Sequence, residues 1–352
     1  MRVLLVYREY LNDNLFVQIL RDGLREKKCD VECSVENFWK CDKKYDIINV
    51  QWPEEFFYWD TITDESIESL KVRINYFKKL GTKIFYTRHN IIPHYANNNL
   101  IKVYRLIEEM SDGIIHMGKF SLDEMKNNSP EVNAKNFIIP HHIYEKTYDE
   151  TISQQEARNK LNLPKDKFII MAFGKFRNWD EVKMVIRAFL SYKNSKKYLL
   201  APRILVINNH NAGFKKIIYY IIRFVMSFFS MNVGSYEEII DNFDLPFYMA
   251  ASDVIFVQRK KILNSGNIPL AFLFRKVVVG PDQGNIRELL IGTNNPVFSP
   301  NNNKSIVKAL EMSYMLVNDC HGEKNYTYAL NNMSIELVTQ KYLDAYKKVI
   351  DK

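Results

Sequence analysis

The segment RHNIIPH (88–94) sets an arginine, two histidines and an asparagine around a short apolar turn, and FIIPHH (137–142) repeats its Ile-Ile-Pro-His phrase further along the chain. Imidazoles can ligate a metal, move protons near neutral pH or hydrogen-bond a ligand. The first option is disfavoured. His89 and His94 do not form H-E-x-x-H, and Pro93 between them prevents a shared helical face. Cys29, Cys33, Cys41 and Cys320 form no C-x-x-C pair and lie apart from the histidines in sequence. No metal is therefore expected, which leaves acid–base work or hydrogen bonding for the histidines, with His89 and Asn90 standing at the end of an apolar run.

A second set of residues is cationic. Arg8, Arg88, the pair Lys175 and Arg177, and the pair Arg259 and Lys260 each follow a short apolar run. Arginine and lysine gathered in this way describe an anion pocket, because they neutralise phosphate oxygens and arginine does so in bidentate fashion. Ser265, Gly266 and Asn267 are N-cap types ahead of a run with Pro269 near its start, so helix N–H groups could join the same anion. An ordinary capped helix is the alternative. Trp52 beside Glu54 and Glu55 would suit a sugar ring, with a glutamate as base; a core-edge tryptophan with solvated glutamates reads equally well.

These residues have to be positioned by elements. Short buried strands are expected at 2–7, 45–52, 83–88, 113–118 and 136–142, with helical spacing between them, and the alternation resumes after a polar stretch over 144–157. Strands at 167–176, 202–209, 253–258 and 276–281 follow, again separated by helices. Strands of this length alternating with helices imply parallel βαβ units, whose ligands bind outside the strand carboxyl ends. The expected class is α/β, with two doubly wound Rossmann-like domains facing across a cleft. The expected bounds are 1–145, 146–330 and a C-terminal helix over 331–352. No G-x-G-x-x-G follows the first strand and no G-x-x-x-x-G-K-[ST] occurs, which argues against a dinucleotide dehydrogenase and a P-loop nucleotidase.

Composition sets the remaining bounds. The chain has 352 residues, 47% of them apolar and 26% charged, with a net charge of +8, so a folded protein with an anionic partner is expected. Basic residues are dispersed rather than clustered on one polar face, which disfavours nucleic acid. The cysteine pattern fits a reducing, cytoplasmic setting, and VLLVY is too short for a signal peptide. The most apolar stretch, 213–234, is interrupted by Arg223 and suits a helix lying at a membrane interface, with a buried helix as the alternative.

FGKFRNWDEVKMVIRAF (173–189) and DLPFYMAASDVIFVQRKKILNSGNIPLAFLFRKVVVGPDQGNIREL (244–289), with NVQWPEEFF and YTRHNIIPH, resemble the GT-B glycosyltransferases of the family 4 type used in bacterial surface-polysaccharide assembly. The resemblance implies transfer of a sugar from a nucleotide-sugar donor, bound as substrate by the C-terminal domain, to a saccharide or lipid-linked saccharide on the N-terminal domain. No cofactor is implied. Arg177 matches the arginine that steadies the leaving diphosphate, His89 the histidine beside the donor sugar, and Glu288 a glutamate that reaches donor hydroxyls. Donor contacts are then expected from Arg259, Lys260, Ser265, Gly266, Asn267, Gly284 and Glu288, and acceptor contacts from Arg8, Trp52, Glu54, Asn90 and His94, with Lys175, Arg177 and His89 catalytic. Three departures stand out. Asp180 replaces the family's lysine, so Lys175, Lys183 or Lys260 must substitute for it. Ile262 and Leu270 occupy the places of its paired glutamates, and YREYLNDN replaces a glycine-rich loop. A nucleotide-sugar epimerase on the same fold and an inactive binding partner are the competing functions.

Overall fold

The computed structural model describes residues 1–8, 15–91, 97–205, 213–235 and 240–351. They form two compact units, Met1–His142 with Asn332–Lys352, and Ile143–Asn331.

The first unit runs β1 (Arg2–Val6), α1 (Leu15–Glu26), β2 (Asp30–Cys33), α2 (Val35–Lys40), β3 (Ile47–Val50), a 3-10 helix (Pro53–Phe57), α3 (Asp64–Lys79), β4 (Lys83–Arg88), α4 (Asn98–Met110), β5 (Gly113–His116), α5 (Lys119–Asn128) and β6 (Lys135–Ile138). Its parallel sheet has the order β2-β1-β3-β4-β5-β6. Val3 to Val6 and Ile47 to Val50 are buried throughout, as strands covered by helices on both faces must be. Helix starts are written locally: Ser34, Thr63 and Asn97 each accept a hydrogen bond from the backbone N–H three residues on.

The second unit runs α6 (Gln154–Lys160), β7 (Phe168–Met171), α7 (Trp179–Ser191), β8 (Lys197–Leu205), α8 (Gly213–Ser227), β9 (Met231–Ser235), α9 (Leu245–Ala251), β10 (Val254–Phe256), α10 (Asn267–Leu273), β11 (Val277–Pro281), α11 (Gly284–Gly292), β12 (Val297–Phe298), α12 (Asn303–Asn318) and α13 (His321–Met333). Its parallel sheet has the order β12-β11-β10-β7-β8-β9. The last helix, α14 (Ile335–Ile350), belongs to the first unit. There Val338, Tyr342 and Tyr346 enter the core formed with Val3, Leu5 and Ile47. Burying a side chain of that size contributes on the order of 1.5–3 kcal/mol, which holds the C-terminal segment to a sheet more than 200 residues earlier in sequence.

The expected alternation misses β2, α2, α6, β9, β12, α12 and α13. DVEC and VENFWK are too short and too polar for periodicity to declare them. The polar stretch expected as an interruption contains α6, whose start is marked by the Ser153 cap. The apolar stretch 213–234 is not one element. Its helix stops at Ser227, the chain turns through Ser230 with a positive φ of 57°, and MNVGS becomes the edge strand β9. The strand expected over 202–209 begins earlier, at Lys197.

Candidate functional site

In the first unit β1, β3 and β4 are sheet neighbours, so Tyr7-Arg8, Gln51-Trp52 and His89-Asn90 emerge side by side at their carboxyl ends. The Trp52 and His89 rings stack with centroids 4.0 Å apart and planes 16° from parallel. His89 Nε2 lies 3.0 Å from Gln51 Oε1. The Gln51 amide nitrogen donates to Asn49 Oδ1 at 3.0 Å, which makes its oxygen the acceptor toward His89. The proton therefore sits on Nε2, and Nδ1 is the basic nitrogen. Burial drives the His89 pKa down to about 3, so the ring is neutral at pH 7 and a weak proton acceptor.

The support for this histidine comes from the other end of the chain. Asn49 Nδ2 donates to the Tyr346 hydroxyl at 2.6 Å, and Thr87 Oγ1 donates to Asn49 Oδ1 at 3.1 Å. With its proton so used, Thr87 accepts from the Tyr342 hydroxyl at 3.4 Å. Asn49, Gln51 and Thr87 are fully buried. Sequence reading took Gln51 only as a strand-end residue and missed the other four. The signal was present at the end of β3, where Asn49 and Gln51, the residue just past the strand, stand two apart in an otherwise apolar buried run and so share one face.

The remaining first-unit candidates have firm partners. Arg8 Nε pairs with Glu55 Oε2 at 3.0 Å, and Trp59 Nε1 donates to the other Glu55 oxygen at 2.7 Å. Glu54 accepts from the Tyr104 hydroxyl, 3.0 Å from each carboxylate oxygen, and Asn90 bonds that same hydroxyl. Both glutamates are buried rather than solvated, and burial raises the Glu54 pKa above the usual carboxylate range. Arg88 is a core residue, held by Glu108 at 2.8 Å and by Glu124. His141 and His142, far from His89 in sequence, pack with it around Phe16, with ring centroids 4.8 to 5.0 Å from that ring. His94 lies outside the described residues. Among the described residues no group of three or more His, Cys, Asp or Glu converges as metal ligands would.

In the second unit β11, β10 and β7 are adjacent, and their three carboxyl-end loops are tied to one another. Gln258 Nε2 donates to the Phe173 carbonyl at 2.9 Å, and Asn267 Nδ2 donates to the same oxygen at 3.2 Å. Arg259 pairs with Glu181 at 2.7 Å and donates to the Lys175 carbonyl at 2.7 Å. Glu181 is buried at the start of α7 and also accepts from the Arg177 backbone N–H at 2.9 Å. Arg177 Nη1 reaches the Lys261 carbonyl at 3.3 Å. Asn285 closes the set through Leu263 O at 3.0 Å and Asn264 Oδ1 at 2.7 Å.

Two glycines permit this knot. Gly174 (φ +96°) and Gly284 (φ +55°) adopt backbone conformations that side chains disfavour, and a Cβ on Gly284 would lie 2.5 Å from the Ile262 carbonyl oxygen. Lys175 and Arg177 are exposed on the tied loops, whereas Arg259 is half-buried against its carboxylate. Lys260, Ser265, Gly266 and Asn267 are half-buried on the β10 loop. Gly266 caps α10 without a side-chain hydrogen bond; Asn267 is that helix's first residue and turns its amide to the β7 loop instead. Glu288 is exposed on α11, where its charge raises the Tyr328 pKa along with burial, the larger cause.

No protein-family model matches the chain, and no curated protein matches it. Solved structures do. Sucrose-phosphate synthase from Thermosynechococcus elongatus superposes with a TM-score of 0.71 at 13% identity, over 100% of this chain and 99% of that one. HepE from Anabaena, in complex with UDP, gives 0.69 at 13% identity over 99% of both chains. A Listeria monocytogenes protein named as a UDP-N-acetylglucosamine 2-epimerase gives 0.60 at 11% identity, over 99% of this chain and 96% of that one. At such identities the likeness speaks for architecture alone, and the architecture is plain: the chain has the GT-B fold, with two Rossmann-like units.

Proposed function

We propose that this protein is a metal-independent glycosyltransferase, moving a hexosyl group from a nucleotide-sugar donor held by the second unit to a saccharide or lipid-linked saccharide held by the first. Its setting in this reading is cytoplasmic, in glycan biosynthesis. The observation that carries the proposal is the knot of three loops at β7, β10 and β11, which presents Lys175 and Arg177 to solvent on a backbone fixed by Arg259, Glu181 and Gln258.

Transfer breaks the bond between the sugar C1 and the diphosphate and forms one from C1 to an acceptor oxygen. The bonding electrons leave with the diphosphate, and the acceptor hydroxyl gives up its proton to an oxygen of that departing diphosphate. Fixed cations aimed at the departing charge lower that barrier most, because they need not reorganise during reaction. Arg177 and Lys175 fill that role, Lys260 and the backbone of Ser265 and Gly266 add donor contacts, and Glu288 takes a sugar hydroxyl. Arg259, already paired with Glu181, acts by holding the Lys175–Arg177 loop. His89, neutral and stacked on Trp52, serves as a hydrogen-bonding partner for a sugar hydroxyl rather than as a base, since a pKa of about 3 is poorly matched to proton abstraction at pH 7.

A thermal-shift screen with UDP-, GDP- and ADP-sugars tests donor binding, because a ligand that binds only the native state raises its stability. At least one donor should raise Tm, and no shift with any of them, together with no transfer, would overturn the reading. Likeness to the Listeria protein favours epimerisation as the second reading. Incubation with the nucleotide sugar alone separates the two: an epimerase alters it without an acceptor, whereas the transferase requires one.

A further inference from the structure

α8 carries two apolar faces. Tyr219, Ile222 and Met226 pack on the core of the second unit. On the opposite side Ile217, Tyr220, Ile221, Phe224, Phe228 and Phe229 face solvent, Phe228 at 71% exposure and Phe224 at 65%. The first five recur at i, i+3, i+4, i+7 and i+11, one helical stripe continued into the following turn. Phe224 and Phe228 meet edge to face at 4.9 Å. The sequence alternatives, interfacial helix or buried helix, are thus not exclusive: one stripe is buried and the other is left to solvent.

Soluble proteins rarely expose a continuous aromatic and aliphatic stripe, and where they do it marks an interaction surface. Charge indicates which occupant. Lys216, Arg223 and Ser227 line one margin of the stripe, all exposed, and no acidic residue occurs from Gly213 to Ser235 in a chain of net charge +8. Arg223 holds its position by donating to the Tyr219 hydroxyl at 3.0 Å. Aromatic and branched apolar side chains with cations at the margin suit an anionic lipid surface, where the stripe enters the acyl boundary and the cations meet headgroup phosphates. The helix lies on such a surface and does not cross it: fifteen residues span about 22 Å against a hydrocarbon core of about 30 Å. Among the described residues no helix is long and apolar enough to span a membrane.

We propose that α8 is an in-plane anchor by which the second unit docks on an anionic lipid surface. This deepens the transferase reading by making the acceptor lipid-linked, and it rests on that reading only for that purpose; its test needs no turnover. The full chain is sedimented with phosphatidylcholine vesicles and with vesicles that also contain phosphatidylglycerol, at low and at high salt. Binding to the anionic vesicles should exceed binding to the neutral ones by about tenfold at low salt. Phe224→Asp with Phe228→Asp should abolish it while Tm and any donor-induced shift stay unchanged, and Lys216→Glu should weaken it. Absence of wild-type binding, or binding undiminished in the double variant, overturns the anchor. So does a stable homodimer in light scattering that the double variant dissociates while vesicles go unbound, since a second copy would then be the occupant. Arg177→Ala separates the two readings: lost donor binding with intact vesicle binding breaks neither the anchor nor its assignment to α8.

Discussion

The two strand-end sites solve opposite problems. In the first unit the candidate ring, His89, is neutral and clamped between Trp52, Phe16 and Gln51, and the carboxylates around it are already satisfied by Arg8, Trp59 and Tyr104. In the second unit the backbone is clamped and the cations Lys175 and Arg177 are exposed. In the proposed transfer, a site that picks out a neutral polyol needs fixed hydrogen-bonding geometry and no stray charge. In the same proposal, a site that receives and releases a diphosphate needs charge on a rigid loop. The division of labour follows from which component of each site is buried.

The sharpest way to break that contrast is to remove the exposed charge. Arg177→Ala should lower kcat by about 10²–10³-fold, the usual cost of deleting one preorganised donor to developing charge, with Tm nearly unchanged because the side chain is exposed. Near-normal sugar transfer by this variant would sink the assignment. Next in size is the clamp itself. Glu181→Gln leaves Arg259 half-buried without its counter-ion, and urea denaturation should show a loss of about 2–3 kcal/mol, less than for a fully buried pair because Arg259 retains some exposure. A neutral result would mean that Arg259 is a free ligand cation and not a loop fastener.

Legibility in sequence divides along the same line. The exposed cations and their strand ends could be read because each follows an apolar run of strand length, and strand alternation alone places them on one edge. Both parallel sheets were legible for the same reason, apart from three edge strands: the short polar β2, the two-residue β12, and β9, which follows α8 without a break in hydrophobicity. The first unit's interior was not legible. Tyr342 and Tyr346 lie in the expected C-terminal helix, and nothing local says that their hydroxyls meet Thr87 and Asn49. His141 and His142 close the FIIPHH phrase, and nothing local says that the fold brings them to Phe16 beside His89. Long-range hydrogen bonds leave no periodic trace.

The buried imidazoles give the next prediction. His89 is pushed down to about 3 and His116 to about 4, both chiefly by burial, and His141 is also lowered, by burial first and then by the charge of its neighbours. The unfolded chain protonates its histidines near pH 6.5 while these folded ones stay neutral. The unfolded state therefore binds more protons below pH 6.5, and stability is complete above that pH and is lost as pH falls toward the folded pKa values. Glu54 and Glu108, raised chiefly by burial, act in the opposite direction: their contribution is present at low pH and is lost as pH rises. Between pH 7 and pH 5 unfolding free energy should drop by about 2 kcal/mol from the fully buried His116 alone. A flat profile over that window would mean that the first-unit histidines are solvated and that the contrast between the sites is overstated.

The smallest effect tests whether the C-terminal helix sets the chemistry of His89 or only packs beneath it. Tyr346→Phe keeps the ring in the core and removes the hydroxyl that accepts from Asn49 Nδ2. One buried amide donor then lacks a partner, at about 1 kcal/mol in chemical denaturation. Packing alone predicts nothing further. The hydrogen-bond chain predicts that Asn49, and through it Gln51, loses a fixed orientation, so that His89 exchanges between tautomers. Nitrogen chemical shifts of His89 should then move from a protonated Nε2 toward a mixture, while those of His116, whose contacts are Ser121 and Asn136, stay put. If His89 keeps one tautomer in the variant, the first-unit site is held by the Trp52 stack and not by the C-terminal helix.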